Sequence, residues 1–182
     1  MKVVETGFEG LFVLEPRVFA DERGYFFESF NSQTFKNNGL DFLWVQDNQS
    51  KSKYGVVRGL HFQKPPFAQT KLIRVLKGEI LDVVVDLRHD KTTYGKSFSV
   101  VLSSQNHLQL LIPKGFAHGF SVLSEEEDVM YKCDALYNKE SELGIMFNDP
   151  QLGIDWKVEQ DKMVISDKDL VLPAFDPAQI IF

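Results

Sequence analysis

The segment RGLHFQKPPFAQTK, residues 58–71, concentrates polar and charged side chains that a plain β-sheet does not need. Arg58 and His61 precede a pair of prolines, and Lys71 follows the pair where the chain is predicted to return as a second strand. A histidine is a candidate base, and a lysine is a candidate cation for negative charge that develops on a substrate. This arrangement predicts a pocket for an anionic substrate.

Two of the four histidines are candidates for a functional site. His61 and His118 each lie on a predicted strand beside glycine and phenylalanine, where an imidazole is costly to bury without partners. Each one alone fits a structural or a functional role, and their shared context favours function. His89 and His107 lie in predicted turns, which indicates surface positions.

A proton donor and an oxyanion site are each open to two interpretations. Tyr131, in VMYKC, fits an amphipathic tyrosine of the core as well as an acid opposed to a base. Lys71 has the same alternate-position parity as Ile73 and Val75, so it lies at the end of an apolar strand face. Its ammonium group either extends to water or points at an oxyanion inside a barrel.

The segment IPKGFAHGF resembles the second motif of cupin barrels, P-x-G-x-x-H, with Pro113, Gly115 and His118. The first cupin motif normally contributes two histidines as H-x-H, but this chain has LHFQ, with Gln63 in the second position. An amide oxygen is a poor ligand for a transition metal, so we predict no metal and no other cofactor. Two histidines and a carboxylate leave a metal-dependent cupin oxygenase or isomerase as an alternative.

Composition limits the class of protein and its partners. The chain has 182 residues, 43% of them hydrophobic and 25% charged, which suits one globular domain over residues 1–182. The net charge of −6 disfavours binding to nucleic acid or to an anionic membrane. The chain has one cysteine, no secretory signal and no apolar stretch that could span a bilayer, which predicts a cytoplasmic protein.

Short segments with the composition of β-strands follow one another along the chain, each bounded by glycine, proline, asparagine, aspartate or serine. Their spacing of about ten residues, without long helices between them, predicts an all-β sandwich or barrel. The segments are GLFVLEP, GYFFESF, FLWVQDN, VVRGLHF, KLIRVLKG, EILDVVVDL, KSFSVVLS, HLQLLIP, HGFSVLS and DVMYKCD.

Other parts of the chain are predicted to connect or cover these strands. One short helix is predicted in NSQTFKNNG, with Asn31 as its N-cap and Gly39 as its stop. Residues 134–182 are predicted to form loops, turns and short helices around the sheets. The acidic segment SEEED, residues 124–128, is predicted to project into solvent between two strands.

Strict strand alternation places Arg58 and His61 on opposite faces of their strand, which conflicts with a shared pocket. Glycine inside a strand often marks a β-bulge, because it accepts backbone conformations that other residues avoid. We therefore predict a bulge or a local twist at Gly59 that turns both side chains inward.

Several segments in order resemble the dTDP-4-dehydrorhamnose 3,5-epimerase family over nearly the whole chain. They are DERGYFFESF, VQDNQS, VRGLHFQ, QTKLIRVLKGEILDVVVDLR, IPKGFAHGF and YKCDALY. The resemblance implies a cupin-like double-stranded β-helix, a jelly-roll barrel with a few short peripheral helices. It also implies a homodimer that epimerises dTDP-4-keto-6-deoxyglucose at C3 and C5, without a cofactor, in dTDP-L-rhamnose biosynthesis.

The same resemblance implies a role for each residue of the catalytic centre. His61 is the base, Asp169 in SDKD is its carboxylate partner, and Tyr131 is the general acid. Lys71 lies beside the substrate carbonyl, and His118 lines the same pocket. By itself SDKD is typical of a solvated turn, and only the resemblance assigns Asp169 a role.

Substrate contacts are implied at further positions by the matching motifs. Tyr137, in DALY, is expected to stack on the thymine ring. The N-terminal strand is expected to exchange with the partner subunit, so that Arg23 and Glu28 serve the neighbour's site. The remaining contacts are Gln46, Asn48, Arg58, Glu142 and Lys168.

Two further alternatives stay open from the sequence. A single-centre epimerase, acting at C3 only or at C5 only of a related nucleotide 4-keto-6-deoxy sugar, would use the same base and the same acid. A sugar-nucleotide-binding module would keep the pocket without the proton transfer. Both share the predicted fold, so the reaction itself has to separate them.

Overall fold

Two facing β-sheets form the body of the protein in the computed structural model, which describes residues 1–179 and 181–182. The first sheet contains β1 (Lys2–Glu5), β2 (Phe12–Glu15), β5 (Gln46–Lys53), β7 (Lys71–Lys77), β10 (Gln109–Ile112) and β12 (Glu126–Cys133). These strands lie in the order β1-β2-β10-β7-β12-β5, and every neighbouring pair is antiparallel.

The second sheet contains β6 (Val56–Gln63), β8 (Glu79–Asp86), β9 (Ser97–Ser103), β11 (Phe116–Val122), β13 (Glu142–Gly144) and β14 (Val164–Ile165). Its order is β13-β6-β11-β8-β9, and β14 pairs with β6 in parallel. The remaining elements are a hairpin of β3 (Phe19–Asp21) and β4 (Gly24–Phe26), helices α1 (Ser32–Asn37) and α2 (Asp167–Leu170), and a 3₁₀ turn (Gln160–Lys162).

The predicted all-β jelly-roll barrel with short peripheral helices is confirmed. An apolar core fills part of the space between the sheets, where Ile73 and Val75 of the first sheet pack with Ile80, Val84 and Phe120 of the second. Full burial of such a side chain contributes about 1.5–3 kcal/mol relative to exposure. Among the described residues, no helix is long and apolar enough to cross a membrane.

Strand β8 is buried on both of its faces, which explains its nearly continuous apolar sequence, EILDVVVD. Ile80 and Val84 face the core between the sheets. Leu81 and Val83 face the other way and pack in a second cluster with Trp156 of the C-terminal segment. This segment therefore covers the outer face of the second sheet and leads β14 and α2 back to β6.

The predicted irregularity at Gly59 is confirmed. In the register of β6 against β11, His61 lies opposite His118, and Arg58 lies opposite Phe120. Three steps along β6 thus match two steps along β11, which is a β-bulge. Gly59 has φ +118° at this point, and Arg58 and His61 both line the same cavity.

The predicted short helix is confirmed as α1. The side chain of Asn31 accepts a hydrogen bond from Thr34 N, and Gly39, at φ +78°, follows the end of the helix. The strand predicted in FLWVQDN begins later than expected, at Gln46, which is the first residue of β5. Trp44 packs instead in an apolar cluster around α1.

The prediction of a solvent-exposed acidic loop in SEEED is wrong. Strand β12 begins at Glu126, and the side chain of Glu127 is fully buried. Glu127 has the same inward parity as Val129, which belongs to the core. The acidic composition of the segment masked this alternation in the sequence.

Gly59→Ala should destabilise the protein by about 2–5 kcal/mol, because positive φ and close packing both disfavour a side chain there. An added Cβ would lie 2.6 Å from Gly119 Cα and 2.8 Å from the carbonyl oxygen of His118. Gly7→Ala is the matched control, since Gly7 has φ +84° and no atom within 4 Å of the added Cβ. Denaturant unfolding measures the decrease in the free energy of unfolding for both variants, and equal decreases would contradict tight packing at the bulge.

Candidate active site

A cavity of about 680 Å³ lies between the two sheets, within the size range of small-molecule sites. The second sheet contributes Arg58, His61 and His118, and the first sheet contributes Lys71 and Tyr131. The other predicted site residues on its lining are Gln46, Asn48, Tyr137, Glu142, Lys168 and Asp169. The fold therefore brings together residues that lie far apart in the sequence.

Asp169 joins His61 to the bulge of β6. Parallel pairing of β14 with β6 leads the chain to α2, where the Ser166 side chain caps the helix by accepting from Asp169 N. The Asp169 side chain is 6% exposed, and its Oδ1 lies 2.9 Å from His61 Nε2. Its Oδ2 accepts a hydrogen bond from Gly59 N at 3.3 Å. One buried carboxylate therefore holds both the imidazole and the bulge.

The contact with Asp169 determines which nitrogen of His61 carries the lone pair. With Nε2 protonated toward the carboxylate, the lone pair lies on Nδ1, which has no hydrogen-bond partner among the described residues. Burial lowers the pKa of His61 below its usual value, while the negative charges of Asp169 and Glu142 oppose this shift. The neutral imidazole, which can accept a proton, is therefore favoured near neutral pH.

A second histidine–aspartate pair lies beside the first, and both of its residues belong to the second sheet. His118 lies opposite His61 in the register of β11 and β6, and its Nε2 is 3.0 Å from Asp82 Oδ2. Asp82 is fully buried in β8, with the inward parity of Ile80 and Val84. Asp82 was not predicted from the sequence, although a lone carboxylate at an inward position of EILDVVVDL is a usable signal.

Tyr131 and Lys71 line the cavity from the first sheet. Tyr131 lies opposite Ile73 in the register of β12 and β7, and Lys71 lies opposite Cys133. Burial raises the pKa of Tyr131, which keeps its phenol protonated. Burial lowers the pKa of Lys71, against the raising effects of Cys133 and of the Asp82 charge. The first sheet thus places a protonated phenol and the amine of Lys71 on the cavity lining.

Hydrogen bonds connect the other polar side chains of the cavity. Tyr137 Oη donates to Glu142 Oε2 at 2.9 Å, and Lys168 Nζ lies 2.7 Å from Glu142 Oε1. Gln46 Oε1 accepts from Tyr137 N, and Gln46 Nε2 donates to Asn48 Oδ1. Tyr137 remains 54% exposed, so its ring is accessible for stacking against a planar ligand group.

Three basic side chains line the cavity beside the carboxylates of Glu142 and Asp169, although the chain carries a net charge of −6. They are Arg58, Lys71 and Lys168. Arg58 Nε and Nη2 donate to Ser52 Oγ at 3.1 and 3.0 Å. The remaining N–H groups of the guanidinium are left to bind an anionic ligand.

Two predicted contacts, Arg23 and Glu28, lie outside this cavity in the single chain. Arg23 lies at the turn between β3 and β4 and forms an exposed ion pair with Asp21 at 2.5 Å. Glu28 accepts a hydrogen bond from Asn31 Nδ2 at 2.9 Å, next to the start of α1. Neither side chain is among those that line the cavity.

Gln63 is not free to act as a metal ligand. Its Nε2 donates to the carbonyl oxygens of Phe67 and Leu136, and its Oε1 accepts from Asn138 N. The amide thus connects the loops on either side of the cavity. Over residues 1–179 and 181–182, no three histidine, cysteine, aspartate or glutamate side chains are grouped as metal ligands.

Comparison with known proteins gives consistent matches over nearly the whole chain. A model of the dTDP-4-dehydrorhamnose 3,5-epimerase family matches residues 5–177. The dTDP-4-dehydrorhamnose 3,5-epimerase of Methanothermobacter thermautotrophicus is 50% identical over 169 residues, which are 92% of this chain and 91% of that protein.

Solved structures agree with the sequence matches. The dTDP-4-dehydrorhamnose 3,5-epimerase of Elizabethkingia anophelis has a TM-score of 0.92 and 52% identity, covering 96% of each chain. A dTDP-6-deoxy-D-glucose-3,5-epimerase of Legionella pneumophila, in complex with dTDP-4-keto-L-rhamnose, has a TM-score of 0.88 and 42% identity. That comparison covers 96% of this chain and 98% of the other.

Asp169→Asn should lower the pKa of His61 further, because it removes a negative charge that raises this pKa. Lys168→Met should raise the pKa of His61, because the ammonium group of Lys168 lowers it. Asp167→Asn, at an exposed position of the same helix, serves as the control and should leave the value unchanged. NMR titration of the histidine ring signals measures all three, and an unchanged value in Asp169→Asn would contradict the pairing.

Proposed function

The chain belongs to the dTDP-4-dehydrorhamnose 3,5-epimerase family, and we propose that the cavity between its two sheets performs this family's reaction. The protein is a sugar-nucleotide epimerase that inverts C3 and C5 of dTDP-4-dehydro-6-deoxy-D-glucose to give dTDP-4-dehydro-L-rhamnose, in dTDP-L-rhamnose biosynthesis. One observation carries the proposed roles: a histidine held by an aspartate lies on one sheet, and a phenol and an ammonium group lie on the other.

His61 is the base in the proposed mechanism. The ketone at C4 acidifies the C–H bonds at C3 and C5, because the electron pair left by either proton delocalises onto the C4 oxygen. His61 Nδ1 accepts the proton, and the Asp169 carboxylate stabilises the imidazolium that forms. The ammonium group of Lys71 stabilises the enolate oxygen, and His118 lines the cavity on the other sheet.

Tyr131 is the proposed acid. A proton delivered from the first sheet reaches the face of the sugar opposite to His61, which inverts the carbon. The imidazolium of His61 and the tyrosinate of Tyr131 then return to their starting forms by proton exchange. The same steps act on the second carbon after the sugar ring turns in the cavity. The oxidation level of the sugar does not change, so the chemistry requires no redox cofactor.

The remaining lining residues bind the nucleotide in this proposal. Arg58 and Lys168 are placed to contact the diphosphate, since both carry positive charge on the cavity lining. Tyr137 stacks on the thymine ring with its accessible face. Further contacts come from Gln46, Asn48 and Glu142.

A second copy of the chain completes the site in this proposal. The β3–β4 hairpin exposes Phe19, Tyr25 and Phe26, which keep 51%, 58% and 66% of their surface in the single chain. An exposed apolar group of this kind suits contact with another subunit. We propose a homodimer in which the N-terminal strands are exchanged and Arg23 and Glu28 reach the neighbour's cavity.

We also propose that the enzyme acts in the cytoplasm, without nucleic-acid or membrane partners. Cys133 is buried and unpaired, and burial raises the pKa of its thiol to about 11. A lone reduced thiol suits a reducing compartment. The net charge of −6 gives no attraction to polyanions.

His61→Ala and Tyr131→Phe should each lower epimerisation by about 10²–10⁴-fold, but they should differ in isotope exchange. With His61 removed, no proton leaves C3 or C5, so substrate recovered from D₂O should contain no deuterium. With Tyr131 replaced, the base remains, so recovered substrate should gain deuterium without inversion. NMR of the recovered sugars measures both outcomes.

Tyr54→Phe, at a tyrosine outside the cavity lining, is the control for the phenol and should keep the wild-type rate. If Tyr131→Phe lost deuterium exchange as completely as His61→Ala, the assignment of His61 as the base and Tyr131 as the acid would be contradicted. In the wild-type protein, deuterium at only one of the two carbons would identify a single-centre epimerase instead.

Lys71→Met should lower kcat by about 10²–10³-fold, because it removes the cation that stabilises the C4 oxyanion. Lys77→Met is the matched control at the exposed end of the same strand, where Lys77 pairs with Glu126. Steady-state kinetics separate the two effects. A raised KM with unchanged kcat would show that Lys71 contributes only to binding.

A further inference from the structure

Glu127 is a buried carboxylate that the proposed mechanism does not use. It lies near the start of β12 and is fully buried, and neither of its carboxylate oxygens has a hydrogen-bond partner among the described residues. It has the inward parity of Val129 and Tyr131, the second of which lines the cavity. A buried carboxylate without compensation is costly, so the groups around it have to provide some.

Ser52 connects Glu127 to Arg58. Ser52 lies directly opposite Glu127 in the register of β12 and β5, and its side chain is buried. Its Oγ accepts hydrogen bonds from Nε and Nη2 of Arg58. The Ser52 hydroxyl has one hydrogen. Because its lone pairs accept from the guanidinium of Arg58, this hydrogen can point toward the carboxyl group of Glu127.

The electrostatics of Glu127 agree with this connection. Burial raises the pKa of its carboxyl group, while the nearby Ser52 hydroxyl and the charge of Arg58 both lower this pKa. The charge of Asp128, the next residue in β12, raises the pKa of Glu127. Glu127 therefore lies within the electrostatic reach of Arg58, and Ser52 lies between them.

Arg58 has no stronger anchor in the described part of the chain. Its guanidinium forms no ion pair with a carboxylate there, and Ser52 is its hydrogen-bond partner. The side chain is exposed to the cavity. An arginine side chain that moves freely loses rotamer entropy when it binds a ligand. A fixed acceptor that orients the guanidinium before the ligand binds reduces this loss.

We propose that Glu127 is a positioning residue for Arg58, acting through the Ser52 hydroxyl to hold the guanidinium toward the diphosphate of the substrate. This inference rests on the proposed function, in which Arg58 contacts the diphosphate. Glu127 touches no reacting atom, so its influence falls on binding and not on proton transfer. Its loss should therefore raise KM and leave kcat nearly unchanged.

Glu127→Gln replaces the carboxyl group with an amide and keeps the size of the side chain. We expect KM for the dTDP-sugar substrate and Kd for dTDP to rise about fivefold to tenfold, because an amide is a weaker acceptor than a carboxyl group for the hydroxyl that Arg58 binds. Ser52→Ala should shift both constants in the same direction. Kinetics and calorimetric titration with dTDP measure them.

Glu126→Gln is the matched control on the neighbouring residue. Its carboxylate bonds to Lys51 and Lys77 at the surface, at 3.1 and 2.9 Å, so both constants should stay at the wild-type values. Thermal unfolding of each variant separates folding from binding. If Glu127→Gln changes thermal stability but leaves KM and Kd unchanged, Glu127 has a structural role only and the proposal is wrong.

A double variant that combines Arg58→Ala with Glu127→Gln tests whether Glu127 influences substrate binding through Arg58. In an Arg58→Ala background, Glu127→Gln should raise KM no further, because the group it positions is gone. A full additional increase would show that Glu127 acts independently of Arg58 and would overturn the proposal. If Arg58→Ala alone leaves KM and Kd unchanged, the positioning role fails, while deuterium exchange at C3 and C5 still tests the epimerase function separately.

Discussion

The carboxylate of Asp169 is the contact on which the site depends. It lies 2.9 Å from the imidazole of His61 and accepts a hydrogen bond from the backbone of Gly59, so the proposed base and the bulge have one buried anchor. Without this carboxylate, the N–H groups of His61 and Gly59 would lose their acceptor, and each buried donor left without a partner costs about 1–3 kcal/mol. Since Asp169 reaches this position through β14 and α2, the C-terminal segment is part of the site.

Two opposed sheets suit the stereochemistry of an epimerase. Inversion requires that a proton leave one face of the sugar ring and return to the other. The side chains of a single sheet can reach only one face of a sugar that lies against it, so two sheets are needed. His61 lies on the second sheet and Tyr131 on the first, and the packed core between the sheets fixes their separation. Lys71 lies on the same sheet as Tyr131, where a cation can meet the ketone between the two carbons.

Residue type and period-two alternation predicted the strands, the bulge at Gly59 and the candidate base His61. They did not predict Asp169, because its burial depends on the parallel pairing of a two-residue strand with β6, and local sequence holds no signal for that contact. Asp82 and Glu127 were missed for another reason. Their acidic character outweighed an inward parity that was already present in the sequence. Only the family resemblance assigned Asp169 a role.

A crystal structure of the protein with dTDP-L-rhamnose would test the opposition of base and acid most directly. We expect His61 Nδ1 and Tyr131 Oη on opposite faces of the sugar ring, each about 3–4 Å from C3 or C5, with Lys71 Nζ beside the oxygen on C4. If both groups lay on the same face of the ring, or if the sugar lay outside the cavity, the proposed mechanism would be contradicted.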